Sequence, residues 1–420
     1  MSASIEDKRG DVLVVGGGIG GMQASLDLAK SGCKVFLLEK SSVIGGAARE
    51  LCCKGPGKCN ECSLCEVWEK VFQVTSYPYI SIIRNAEILY VEGSAGNFTV
   101  KVKSFKPDER RFPVYGASYP VRLEEYEESE IKVRAIILAG GFENFDPHKK
   151  AEYGYGRHKN CLTALELERM IHESGRIKIP SSGKKPHSIA FIQCIGSRDM
   201  RRGREYCSSI CCTFALKEAL AIKEILEDVA VSLFFYDMRP YGKDTEKFYQ
   251  EAQEKGVKFI RSGVWRIEEL EDLTLEVCYV DESGKHLFSQ FDMLVFSTGI
   301  EPSSSAEDLA GKLGIDLSEN GFFPTRNLPG GIFACGTFTG PKDFPETAME
   351  ASAVAGDVLL MLKDFPRLGE KIYPLKKEVG GEIRIGVFLC GCNRVIGGMI
   401  DEFEVKEHVL SLPEVAFAEE

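Results

Sequence analysis

Long hydrophobic runs are missing from this 420-residue chain. No apolar stretch reaches the ~18 residues needed to span a bilayer, and the longest ones have the length of a strand. Residues 1–10 are polar and charged and carry no apolar stretch of the secretory kind, which points to the cytoplasm. Surplus positive charge is also missing: 52 Lys and Arg stand against 63 Asp and Glu, a formal charge of −11. That leaves no basic face for nucleic acid, because the basic run Arg198–Arg204 is local. At 44% hydrophobic, the chain has enough apolar material for two or three globular domains.

Cysteine, in contrast, is abundant, with fifteen residues. In a reducing compartment these are not expected to pair as disulfides. Cys33, Cys161, Cys278 and Cys335 stand alone and read as small buried hydrophobes. The others gather: Cys52, Cys53, Cys59, Cys62 and Cys65 in one run, Cys194, Cys207, Cys211 and Cys212 in a second, and Cys390 with Cys392 near the end.

The chain opens on a dinucleotide fingerprint. A short apolar strand, Asp11 to Val15, meets Gly16-Gly17-Gly18-Ile19-Gly20-Gly21. A helix follows, then a second strand from Lys34 to Leu38 that ends in Glu39. Gly16, Gly18 and Gly21 give the tight turn, the close approach to a pyrophosphate and the close helix packing. The helix N-terminus offers partial positive charge to phosphates. Glu39 stands where an acid accepts from ribose hydroxyls, and Gly20 and Lys40 flank these contacts. Gly45-Gly46 shortly after Glu39, and the strand and turn Gly330 to Gly336 followed by Thr337, favour FAD over NAD. Such flavoproteins usually carry Asp where this chain has Thr337. A helix over 346–358 turns its N-terminal end, with Pro345 just before it, towards the flavin.

Two further strands, 136–141 with Ala139 and Gly140 at its end and 293–299, bracket an inserted domain. Its first strand, Ser188 to Gln193, should lead into a second glycine-rich loop. It leads instead into Cys194-Ile195-Gly196-Ser197, and Cys207, Cys211 and Cys212 precede a helix from Thr213 to Leu226. Four thiols at a strand end and a helix N-terminus suit a [4Fe–4S] cluster, with zinc or redox-active thiols as alternatives. Upstream, Cys59-x-x-Cys62-x-x-Cys65 supplies three corners of a second cubane and Cys52 or Cys53 the fourth; a dithiol or zinc are the alternatives.

These stretches resemble the A subunit of heterodisulfide reductase. The resemblance rests on Ala139-Gly140-Gly141-Phe142 with Phe145-Asp146-Pro147, Glu152 to Gly156, and Phe191 to Asp199 with Tyr206 to Cys212. Phe234 to Gly242 and Gly340 to Pro345 match as well, so that it covers residues 10–365. It implies an α/β flavoprotein with two dinucleotide-binding domains, like thioredoxin reductase. An FAD domain would occupy 10–145 and 293–362, an inserted degenerate nucleotide-binding-like domain 146–292, a linker 363–383 and a partial module 384–420. Three features depart from the family pattern. The stretch 105–132 lacks an inserted ferredoxin domain, the run Cys52–Cys65 is denser than usual, and the segment around Cys390 and Cys392 sits at the C-terminal end.

The resemblance implies an electron-transfer oxidoreductase component with FAD and two [4Fe–4S] clusters, plus a third if Cys390 and Cys392 share one. Its partners would be the B and C subunits of such a complex, or a ferredoxin- or hydrogenase-linked small subunit; homodimerisation is left open. Bifurcating, confurcating and simple relay roles all fit. The rivals are a self-contained NAD(P)H-dependent disulfide reductase using Cys62 and Cys65, a scaffold without flavin, and the similar subunit of a quinone-interacting membrane oxidoreductase.

Overall fold

Short β-branched runs alternating with amphipathic helices fold as parallel strands covered by helices. The computed structural model describes residues 11–51, 66–105, 126–200, 204–242, 245–363, 385–389, 402–413 and 415–419. Strand Val12–Val15 (β1), helix Ile19–Lys30 (α1) and strand Val35–Leu38 (β2) come first, then Glu66–Ser76 (α2) and Ile80–Ile83 (β3). Ala86–Ser94 (β4), Asn97–Phe105 (β5) and Tyr126–Val133 (β6) form an antiparallel sheet. Ala135–Leu138 (β7) then rejoins the first sheet, and Phe142–Asn144 (β8) leaves it.

The inserted unit runs through Cys161–Thr163 (β9), Ala164–Ser174 (α3), Ser188–Ile195 (β10), Cys211–Ile225 (α4), Ala230–Phe235 (β11), Glu246–Glu254 (α5) and Lys258–Arg261 (β12). A meander of Val264–Glu269 (β13), Leu275–Val280 (β14) and His286–Phe291 (β15) leads into Met293–Thr298 (β16). The chain returns through Ile300–Pro302 (β17), Ala306–Leu313 (α6), Ile332–Ala334 (β18) and the long Phe344–Leu362 (α7). Near the end Ile385–Phe388 (β19), Glu402–Leu410 (α8) and Val415–Glu419 (β20) make a small β-α-β unit with parallel strands.

The first sheet has the order β18-β7-β1-β2-β3 and the second β12-β11-β10-β16-β9, both parallel. Side chains alternate between the faces of each strand. Val12 and Val14 therefore pack under α1 and α7 with Met22, Leu26, Ala351 and Val358, while Leu13 turns to the other face, towards Val100 and Val102 of the antiparallel sheet. The second sheet repeats this plan. Phe191 and Val295 pack against Leu216 and Ala219 of α4, and Ile192 and Phe296 against the β13–β15 layer. Between the two units, β8 and β17 pair antiparallel.

Three boundaries differ from the sequence reading. β16 is hydrogen-bonded to β10 and β9, so 293–298 belongs to the inserted sheet and the return to the first unit falls after Thr298. β10 runs on to Ile195, and α4 begins at Cys211 rather than Thr213. α7 begins at Phe344 rather than Glu346, because Asp343 caps it: its carboxylate accepts from Glu346 N at 2.8 Å, and Glu346 returns the bond.

Candidate functional site

The glycine turn after β1 works by close approach. Gly16 has φ 108°, and a Cβ there would overlap the carbonyl of Ala139 at the end of β7. A Cβ on Gly21 would overlap the carbonyl oxygen of Gly16. Gly18 is different: its backbone is extended and nothing lies within 4 Å of where its Cβ would stand. Gly18 is the N-cap of α1, so the helix N-terminus faces open space there, as a bound phosphate requires. Glu39 braces the turn from β2. One carboxylate oxygen accepts from Gly17 N at 2.6 Å, the other from the backbone and hydroxyl of Ser41 at 2.8 Å.

That space opens into a cleft of about 2020 Å³, larger than the ~300–1,000 Å³ of ordinary small-ligand pockets. Gly16, Gly18, Gly20, Glu39, Lys40, Gly45, Gly46, Ala139, Gly140, Gly336, Thr337 and Pro345 all line it, and Gly21 stands behind the turn. Two features missed by sequence reading complete the far wall. Lys342 pairs with Glu350 at 2.9 Å and donates to Gly336 O at 3.0 Å, while Glu350 accepts from Gly336 N at 2.6 Å. This pair ties down the turn at which Thr337 replaces the usual Asp. Thr347, in the first turn of α7, is buried with its hydroxyl lacking a partner among the described residues. The Lys-Asp-Phe-Pro-Glu-Thr run was the available signal for both.

The second turn is built differently. At Cys194 the strand register to β16 shifts and φ becomes 61°. Gly196, in the turn itself, has its open face filled: a Cβ there would run into the ring of buried Phe145. Among the described residues of this turn, Gly196 offers no counterpart to the free face of Gly18. Cys207, Cys211 and Cys212 meet Cys194 from the other side. Cys207 Sγ accepts from Ser209 N at 3.4 Å, and Cys211 Sγ donates to Thr298 O at 3.5 Å. Cys194 and Cys212 are buried, Cys207 and Cys211 partly exposed.

Burial pushes the Cys194 thiol up to about 11, and the neighbouring thiols add to the rise. Desolvation and the three other sulfurs also raise Cys211. Cys212 is raised by burial and held back by the backbone N–H of Arg239. Cys194, Cys207 and Cys212 all bear on Cys211, so the four thiols belong to one neighbourhood. Among the described residues, no three His, Cys, Asp or Glu side chains close on a point fit for a single ion. Four thiols are the soft donors that either an iron–sulfur cluster or zinc takes. Cys211 also lines the large cleft, so the thiol centre adjoins the glycine-rich wall.

Cys33, Cys161, Cys278 and Cys335 are buried and unclustered, in keeping with packing roles. Cys52, Cys53, Cys59, Cys62, Cys65, Cys390 and Cys392 lie outside the described residues.

The family model described as FAD dependent oxidoreductase matches residues 11–53. The A subunit of the H(2):CoB-CoM heterodisulfide,ferredoxin reductase of Methanothermobacter marburgensis is 34% identical over 459 residues, covering 92% of this chain and 69% of that one. The chain belongs to the family of heterodisulfide reductase A subunits. Another family member, the iron-sulfur A subunit of the CoB--CoM heterodisulfide reductase of Methanocaldococcus jannaschii, is 35% identical over 82% of this chain and 63% of its own. The fold is that of thioredoxin reductases. The Lactococcus lactis enzyme superposes with a TM-score of 0.54 at 17% identity, over 84% of this chain and 99% of that one. The T. acidophilum enzyme gives 0.53 at 17% identity, over 85% and 98%. As a member of the heterodisulfide reductase A-subunit family, the chain is a flavoprotein oxidoreductase that uses FAD. Among the described residues no helix is long and apolar enough to cross a membrane.

Proposed function

We propose that this protein is the FAD and iron–sulfur electron-transfer component of a cytoplasmic heterodisulfide-reductase-like complex, relaying electrons between its flavin and partner subunits. The observation that carries the reading is the exchange at the second turn: Phe145 fills the face of Gly196, and Cys194, Cys207, Cys211 and Cys212 stand where a nucleotide loop would be.

Gly16, Gly18, Gly20 and Gly21 would let the FAD pyrophosphate reach the N-terminus of α1, with Glu39 and Lys40 beside the ribose and Gly45 and Gly46 closing that side. Ala139, Gly140, Gly336, Thr337 and Pro345 would flank the rest of the molecule. The four cysteines would hold one [4Fe–4S] cluster. Bound flavin supplies two-electron chemistry and a cubane supplies one-electron chemistry. Cys52, Cys53, Cys59, Cys62 and Cys65 would hold a second cluster, and Cys390 with Cys392 would contribute to a shared one. Partners resembling the B and C subunits, or a ferredoxin- or hydrogenase-linked small subunit, complete the proposal.

Cys211→Ser/Cys212→Ser, purified anaerobically, should lose one cluster's iron and its EPR signal while keeping the flavin spectrum. Full wild-type iron in that variant would sink the assignment.

A further inference from the structure

The loop that follows β11 lies against Cys212, and arginines from three separate segments gather at its start. Asp237 sits at its start and is ringed by three arginines: Arg198 Nη2 at 2.8 Å, and Arg239 Nη2 and Arg261 Nη2 each at 3.3 Å. Arg261 also donates to Tyr236 O at 3.0 Å, and Arg198 lies 5.9 Å from the centroid of the Tyr236 ring. Three cations around one carboxylate leave a surplus of two positive charges. Asp199, which follows Arg198, is paired with Lys150 at 2.8 Å.

This layer touches the sulfurs from within and water from without. The Arg239 backbone N–H reaches Cys212, whose Sγ lies 4.0 Å from Asp237 O, and the Arg198 side chain reaches Cys194. The Nη1 of Arg198 is buried with no hydrogen-bond partner among the described residues. On the outer side the arginine side chains are 54% exposed at Arg239 and 63% at Arg261, and Tyr236 is 45% exposed. One layer of side chains therefore separates the thiol centre from solvent here.

We propose that the face formed by Arg198, Tyr236, Arg239 and Arg261 is the docking surface through which an acidic protein electron carrier exchanges single electrons with the Cys194, Cys207, Cys211 and Cys212 centre. The proposal rests on the cluster assignment made above. The charges choose the occupant: with a net charge of −11, the chain as a whole repels an acidic carrier, and a local cationic face steers it to one place. One electron passes from reduced carrier to oxidised centre or back, so the carrier's own cluster is oxidised as this one is reduced. A nucleotide phosphate is a poorer occupant, since Asp237 stands in the middle of the arginines and Phe145 fills the neighbouring turn.

The test uses the holoprotein with iron, flavin and EPR signal verified first, and a dithionite-reduced acidic bacterial ferredoxin as probe. Stopped-flow second-order rates are compared for wild type, Arg239→Gln/Arg261→Gln and Arg239→Glu/Arg261→Glu. At roughly 0.02 M salt, charge reversal should slow the reaction by about tenfold or more and neutralisation by less. At about 0.5 M salt the three rates should converge. Cationic reduced methyl viologen should not be slowed by either change. If charge reversal costs the fold or the flavin, the neutralised pair carries the comparison. Absence of iron from the wild-type centre would overturn the cluster assignment itself. With iron present, equal ferredoxin rates at low salt, or rates that NADPH suppresses in wild type alone, would overturn the docking surface.

Discussion

Gly18 and Gly21 are three residues apart in one turn, yet the same substitution should do opposite things to them. Gly18 has extended backbone, φ −76° and ψ −171°, and no atom within 4 Å of the place an added methyl group would take. Gly18→Ala therefore fits the folded apoprotein and should leave its stability unchanged or raise it by ~0.4–1 kcal/mol, through the unfolded state. The methyl group would, however, stand in the space that the pyrophosphate needs at the N-terminus of α1. Losing one or two charge-assisted hydrogen bonds of ~1.5–3 kcal/mol each should weaken FAD binding by roughly 10- to 10⁴-fold at about 1.4 kcal/mol per decade. At Gly21 the methyl group would overlap the Gly16 carbonyl. Gly21→Ala should therefore destabilise the apoprotein by the ~1–3 kcal/mol of an overpacked site, or more. Thermal melts of both apoproteins and flavin fluorescence titrations separate the two effects. A Gly18→Ala protein that binds FAD as tightly as wild type would refute the placement of the phosphate side.

Other consequences follow from buried charge, buried thiols and the filled turn. Asp11 and Arg134 pair at 3.0 Å with side chains only 4% and 14% exposed, and Asp11 also accepts from Lys34 N. Arg134→Ala should lower the urea-unfolding free energy by ~3–5 kcal/mol by leaving a buried carboxylate uncompensated; a loss under about 1 kcal/mol would show that water compensates the site. Burial pushes the thiols of Cys161 and Cys335 up to about 12 from an ordinary 9.0. Their unfolded forms ionise first, so the stability they confer is fully present below pH 9 and is lost as pH rises towards 12, at up to about 1.4 kcal/mol per pH unit for each. Urea melts at pH 8 and 10.5 should show this fall, and Cys161→Ala should flatten it. Neither NADH nor NADPH should bleach the flavin of the isolated chain, because Phe145 occupies the face of Gly196; rapid anaerobic bleaching would restore the self-contained reductase reading.

The parts legible in the sequence were those whose cause is local. Gly16, Gly18 and Gly21 announce their turn because the need for a missing Cβ is met within a few residues, and Leu38-Glu39 ends its strand where a dinucleotide fold ends it. The clustering of Cys207, Cys211 and Cys212 could be read from spacing alone. What failed depended on distant partners. Met293–Thr298 is an apolar strand that reads equally well in either sheet, and only its pairing with β10 and β9 decides. Phe145 looked like part of a family motif, but its role in blocking Gly196 spans 51 positions of chain. The arginines around Asp237 come from three separate segments, so no sequence window contains them. The start of α7 was legible and missed: Asp343 and Glu346 form a capping box whose spacing is visible in the sequence.

In the function proposed above, thiols have taken over the second nucleotide site to hold iron and sulfide beside a flavin. Anaerobic purification with iron, acid-labile sulfide and flavin quantified per chain, together with EPR of the dithionite-reduced protein, tests it directly. About one flavin and at least about four irons per chain are expected, since a single cubane needs that many, with a reduced-cluster signal that disappears in Cys207→Ser. Stoichiometric flavin with fewer than about four irons, or an unaltered signal in that variant, would contradict it.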